Sequence, residues 1–259
     1  MRNFLQLKEF NCLDNLKNLY KSFGLKRCRL KRFEEYDFYA DKKDFIQQKF
    51  ILTFNDLNGQ LMALRPDVTL SVIRKGLTGK FFYLESVYRP SGSRFAEIKQ
   101  AGVEFLGSLN DDDLRLLCSL ALDSLKILAG NNNFILDTAD ASLCNHLTKA
   151  ELSLVQHRNI DGLRKINASD DVINLLHQKS LSDKYQNILN SLASSHLNVD
   201  YSAVSNLNYY NGLVFKGYID GCPHCVLSGG QYDGLLRSMK SDITNGAGFA
   251  VYLEDFDYD

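Results

Sequence analysis

Residues 81–107 read FFYLESVYRPSGSRFAEIKQAGVEFLG, and their reading decides the fold. Two runs rich in aromatic and β-branched residues, FFYLESVYR and FAEIKQAGVEF, flank a Pro-Ser-Gly-Ser turn. That pattern predicts a long antiparallel hairpin. Side chains alternate along a strand, so Gln100 and Glu104, an even number of residues apart, face the same side. At about 3.3 Å per residue they are roughly 13 Å apart and can serve opposite ends of one small ligand. Just upstream, LMALRPDVTLSVIRKG places Asp67 and Thr69 at the start of a predicted helix. The result is a polar constellation on a sheet, suited to a small amphoteric ligand.

Outward from the hairpin, the pattern alternates between helix and strand. Phe10, Leu13, Leu16, Leu19 and Tyr20 recur at helical spacing over residues 9–22, and Gly24 supplies the stop. A strand is predicted near 26–33. FILTFNDLNGQLMAL reads as a hairpin turning at Asn58-Gly59. Asp111, Asp112 and Asp113 open a helix over 111–129, where acids favour the positive helix N-terminus, and Gly130 ends it. After a strand at 133–138, a Leu- and Ser-rich stretch predicts several short helices, an insert at about 141–197. The chain then returns to β: LVFKGYID, a turn at Gly221-Cys222-Pro223-His224, CVLSGG, a helix at 231–239 and a last strand, GAGFAVYL. The expectation is an α+β fold: one domain over 1–259, a mostly antiparallel sheet flanked by helices.

Composition narrows the function classes. The 259 residues are 45% hydrophobic and 24% charged with a net charge of −1, ordinary for a globular protein large enough to bury its own core. No apolar run is long enough to span a bilayer, and the charged start MRNFLQLKEFNCLDNL lacks the apolar core of a signal peptide. The six cysteines show no framework spacing, which points to a reducing, cytoplasmic setting. Near-neutral charge argues against nucleic acid as the main partner, and Lys26, Arg27, Arg29, Lys31 and Arg32 read as a solvated edge.

Each polar residue also has an ordinary reading. Asp67, beside Pro66, is a natural helix cap. Gln100 and Glu104 on a strand are commonly solvated, and Tyr210 is commonly a core or edge aromatic. Arg89 is placed to pair with Glu97 across the hairpin. Cys222-Pro223-His224-Cys225 has the spacing of a redox or metal motif, but it lies in a predicted turn without a βαβ context and without a second ligand pair. A hairpin turn is the simpler reading. His146, His157, His177 and His196 have no regular ligand spacing.

Five stretches taken in order, LMALRPDVTLSVIR, YLESVYRPSGSRFAEIKQAGVEFLG, NLNYYNGLVFKGY, LSGGQYDGLL and GAGFAVYLEDF, resemble the histidyl-tRNA synthetase catalytic core. The resemblance implies the class II aminoacyl-tRNA synthetase fold, usually dimeric. It also implies roles: Asp67 and Thr69 hold a substrate ammonium, with Asp in place of the usual Glu; Gln100 lies at the same end; Glu104 and Tyr210 recognise an imidazole. A carboxylate and a phenol on the two ring nitrogens would reject isosteric apolar amino acids.

The catalytic groups that the resemblance leads one to expect are altered. Ser205 stands where the family has an Arg before its Gly-Leu-Asp-Tyr-Tyr stretch. Arg89 remains as an anion contact, but the hairpin turn is about three residues shorter and its ATP-facing Glu has no counterpart. Gln231 replaces the Arg of Gly-Gly-Arg-Tyr-Asp-Gly, and Glu254-Asp255 replaces the final Glu-Arg that stacks on adenine. Lys31 replaces the proline of the dimer-interface motif. Lost cations leave phosphoryl charge unopposed. The chain stops at Asp259, so no anticodon-binding domain is expected. A core that keeps a histidine pocket and loses its ATP machinery resembles the regulatory subunit of ATP phosphoribosyltransferase. That resemblance implies a non-catalytic chain without cofactor or metal. Its expected partners are L-histidine, its own copy in a dimer and the short-form catalytic subunit in a hetero-octamer, and its expected role is activation and histidine feedback. A divergent synthetase and a stand-alone histidine-binding module remain the other readings.

Overall fold

The structure, a computed structural model, describes residues 2–42, 45, 46, 48–205, 207, 209–239 and 241–253. An eight-stranded sheet carries the molecule, and a three-stranded sheet lies beside it. In chain order the strands are β1 (Lys26–Arg27), β2 (Phe33–Glu35), β3 (Thr53–Asn55), β4 (Leu61–Leu64), β5 (Gly79–Ser91), β6 (Arg94–Leu106), β7 (Phe134–Asp140), β8 (Leu197–Val199), β9 (Leu213–Ile219), β10 (Leu227–Gln231) and β11 (Gly246–Tyr252). The large sheet runs β1-β5-β6-β11-β10-β9-β7-β8 and the small one β2-β4-β3. The interior pairs of the large sheet are antiparallel, but β1 and β8, its two edges, pair in parallel. The α+β expectation is met, with these parallel edges as the departure. The strand predicted over 26–33 is in fact two short pieces in different sheets.

The hairpin forms in a tighter register than its sequence suggests. Ser91 faces Arg94 and Pro90 faces Phe95, so only Gly92 and Ser93 make the turn and Pro90 belongs to the strand. Gly92 has φ 59°, the positive value that the first position of a two-residue hairpin turn demands. Pro90 is tolerated because β1 pairs only with Phe81 and Phe82, leaving this end of β5 as an edge. The Arg89–Glu97 pairing does not occur. Tyr88 is the residue opposite Glu97 and donates to its carboxylate at 3.1 Å, and alternation turns Arg89 to the other face.

Helices cover both faces: α1 (Arg2–Ser22), α2 (Asp37–Ala40), α3 (Val68–Arg74), α4 (Asp111–Ala129), then α5 (Lys149–Gln156), α6 (Ile160–Lys165), α7 (Asp170–Leu175), α8 (Asp183–Leu192) and α9 (Asp233–Ser238). On α1, Leu16 and Tyr20 are fully buried; the side chain of Phe10 lies outside the described residues. Asn110 and Asp113 form a reciprocal capping box that starts α4, and Leu114, Leu117, Cys118, Ala121, Leu125 and Leu128 pave its buried face. Alternation along β5 splits the core: Phe82 joins α1, α4 and the helical insert, whereas Phe81 and Tyr83 join α3 and α9. Residues 141–197 hold the short helices α5 to α8, and β8 begins at their end. The second face, under α3 and α9, is where the sheet stays partly open.

Candidate functional site

The opening on that face is a pocket of about 540 Å³. Its floor exists because small residues replace bulk across neighbouring strands. Glu104 of β6 is opposite Gly248 of β11, and a Cβ at Gly248 would stand 2.1 Å from the Glu104 carboxylate. Likewise Gly102 leaves room for Tyr83, whose ring would lie 2.2 Å from a Cβ there. Glycine at these points is a spatial requirement of the floor.

Asp67, Thr69, Arg89, Gln100 and Tyr210 all line this one pocket, and Glu104 is buried beneath it. Asp67 caps α3 by accepting from the Leu70 amide at 2.9 Å while its other oxygen is 3.4 Å from the Arg89 guanidinium. Arg89 Nε donates to the Pro66 carbonyl at 2.8 Å. The cap reading of Asp67 therefore holds, and the residue faces the pocket as well. Gln100, 4% exposed, lies on the same strand face as Glu104.

Glu104 is the least accessible acid of the group, at 1% exposure. Thr69 Oγ1 donates to one of its oxygens at 2.6 Å and Tyr232 Oη donates to the other. Burial outweighs these two donors and raises its pKa to about 8, with the Asp67 charge adding to the rise. Burial and the neighbouring acids also hold the Tyr209, Tyr210 and Tyr232 phenols well above their ordinary range. They are hydrogen-bonding groups here, not phenolates. Tyr209 and Tyr210 pack with centroids 4.8 Å apart, and Tyr209 lies 6.0 Å from Tyr232.

Three residues at or below this site were not anticipated. Tyr232 sits in the quoted Gly-Gly-Gln-Tyr-Asp-Gly stretch, where an aromatic right after a glycine-rich strand end was the available signal. Tyr209 is the chain neighbour of Tyr210, and the paired aromatics were its signal. Arg65, fully buried, donates to Glu85 at 2.9 Å and to the carbonyls of Lys31 and Ser86, locking the small sheet to the hairpin. A charge inside LMALRPD was its only sequence signal.

Ser205, in the place of the expected Arg, is part of the pocket wall. Among the described lining residues Arg89 is the one cation. Gln231 turns inward and accepts from the Leu213 amide at 3.2 Å, a structural role. Glu254 and Asp255 lie outside the described residues. Cys222 to Cys225 form the connection between β9 and β10, and Cys225 Sγ donates to the Leu227 carbonyl at 2.9 Å. No group of three metal-ligating side chains is present among the described residues, nor is any helix long and apolar enough to cross a membrane.

Comparison with known proteins bears on the fold and the family. An ATP phosphoribosyltransferase regulatory subunit of Oceanobacillus iheyensis is 23% identical over 96% of this chain and 73% of its own length. One from Clostridium acetobutylicum is 27% identical over 95% of this chain and 73% of its own. Among solved structures, an ATP phosphoribosyltransferase regulatory subunit/histidyl-tRNA synthetase from Bacillus halodurans superposes with TM-score 0.81 at 22% identity, covering 97% of this chain and 78% of that one. A chain of the ATP phosphoribosyl transferase (HisG:HisZ) complex from Thermotoga maritima gives 0.73 at 18% identity, covering 95% and 97%. The fold is thus a class II synthetase-like core. The family model for histidyl-tRNA synthetase matches residues 7–200 and 193–256, so the chain belongs to the histidyl-tRNA synthetase family.

Proposed function

We propose that this chain is a regulatory subunit of ATP phosphoribosyltransferase that senses L-histidine and catalyses no reaction itself. One observation carries the reading. Asp67, Thr69, Gln100 and Tyr210 line one pocket above the buried Glu104, polar groups that would suit the ammonium and the imidazole of an amino acid. The pocket's one described cation, Arg89, is already engaged by Asp67 and the Pro66 carbonyl. Ser205 offers no charge to a carboxylate or phosphate. Histidine is accommodated, whereas the charge that develops in adenylate formation is left without opposing cations. The names of the relatives at 23–27% identity support the same assignment.

A regulatory role needs only a difference in histidine affinity between two states of the assembly, and any such difference shifts the assembly reciprocally. The partner is the short-form catalytic chain, and self-association into a dimer within a hetero-octamer, in the cytoplasm, completes the proposal. The test is reconstitution with the catalytic chain from the same organism. Phosphoribosyl transfer to ATP should rise when this chain is added and fall again with histidine. Histidine-dependent ATP–pyrophosphate exchange by this chain alone would instead establish a synthetase.

A further inference from the structure

The helical insert grips one wall of the pocket from a single corner. Gln156, the last residue of α5, donates from Nε2 to two successive carbonyls, Val204 at 3.1 Å and Ser205 at 2.7 Å. Two residues on, the Arg158 guanidinium pairs with Asp200, which is 6% exposed. Asp200 in turn accepts from the Ser202 amide at 2.9 Å, and its own amide donates to the Thr138 carbonyl of β7 at 2.9 Å. Both ends of the short segment 200–205 are therefore fastened at the joint between α5 and α6. That joint is conformationally specified: Arg158 has φ 51°, a left-handed value that costs a non-glycine residue energy and persists only where the surroundings fix it. Ser205, at the far end of the segment, lines the pocket, and the Tyr209–Tyr210 pair that follows it in the chain lines it too.

We infer that Gln156 is a positioning residue for the ligand pocket, through which the helical insert sets the wall carrying Ser205 and the approach of Tyr209 and Tyr210. The ligand part rests on the reading of the pocket as a histidine site. Gln156 is not among the residues that line the pocket. Its effect passes through two backbone carbonyls, so it depends on the donor group and not on side-chain size alone. Glutamate is isosteric but cannot donate, whereas a lysine ammonium can donate to both oxygens.

The experiment uses the full chain and the variants Gln156→Glu, Gln156→Leu and Gln156→Lys. Amide hydrogen exchange over residues 200–205 is measured without ligand, and L-histidine affinity by calorimetry. Exchange should quicken in this segment for the Glu and Leu variants and stay near wild type for Lys. Histidine Kd should rise about tenfold for the first two, the effect of losing two modest hydrogen bonds. Gln156→Leu stands in should Gln156→Glu fail to fold. Unchanged exchange in both donor-less variants overturns the inference, as does quickened exchange with an unchanged Kd. A wild-type chain that takes up no histidine overturns the pocket reading instead, and the exchange comparison still decides whether Gln156 holds the wall.

Discussion

Thr69 Oγ1 donates to the Glu104 carboxylate at 2.6 Å, and this contact ties the first turn of α3 to the floor of the pocket. The burial of Glu104 beneath this contact gives the site a pH signature. Burial raises the Glu104 pKa from an ordinary 4.5 to about 8 in the folded chain. Between those values the folded state holds a proton that the unfolded state has released. Stability should therefore be fully present below about pH 4.5, fall as pH rises toward 8 and level off above it, with a slope of up to about 1.4 kcal/mol per pH unit from this group. Urea denaturation at several pH values checks this, and Glu104→Gln should flatten the profile in that window.

Gly248→Ala should damage the site more than its one methyl group suggests. The added Cβ would stand 2.1 Å from Glu104 Oε2 and 2.5 Å from the Val103 carbonyl, and the latter is backbone that cannot rotate aside. Overpacking of this kind costs about 1–3 kcal/mol. The expected outcome is a lower denaturation midpoint together with loss of histidine binding in calorimetry.

Asp67 serves both α3 and the pocket, and one substitution separates the two. Asparagine keeps the oxygen that caps the Leu70 amide, so Asp67→Asn should change stability by only a few tenths of a kcal/mol. It removes the charge beside Arg89 and the pocket, so histidine affinity should fall about tenfold, as loss of a charge-assisted hydrogen bond predicts. Asp67→Ala should lose the cap as well, at about 1 kcal/mol. Thermal melts and calorimetry on the same samples distinguish the variants.

What could be read in the chain follows the range of the forces involved. The hairpin, the α4 box of Asn110 and Asp113 and the Asp67 cap are set by residues within a few positions, so periodicity and turn chemistry expose them. Asp67, Thr69, Gln100 and Glu104 already form a polar constellation in neighbouring stretches of sequence, whereas Tyr210, far downstream, joins them only through a resemblance spanning the chain. The partner that Tyr232 provides for Glu104 lies 128 residues away, and no local pattern announces it. The parallel edges β1 and β8 are two and three residues long, too short to carry a period. Arg89 and Glu97 are near in sequence, but the strand register, which no local pattern reveals, puts them on opposite faces.

Arg65 offers the strongest stability test because its burial is complete and its partners come from two separate stretches. Its guanidinium meets the Glu85 carboxylate and the carbonyls of Lys31 and Ser86, while its backbone amide donates to Arg32 and its carbonyl accepts from Tyr88. Arg65→Ala removes the side-chain set at once, leaving Glu85 half-buried without its ion-pair partner and two carbonyls without donors. Breaking one partner of a buried pair costs about 3–5 kcal/mol, a large share of a typical domain's stability. Arg65→Lys should recover only part of it, since an ammonium cannot span the same fork of acceptors. The small sheet carries β4, which leads directly through Arg65 and Pro66 to Asp67. Loosening there should therefore lower histidine affinity in whatever fraction still folds, measurable by calorimetry beside urea denaturation. A midpoint for Arg65→Ala equal to wild type would mean that the small sheet is held by its apolar contacts alone.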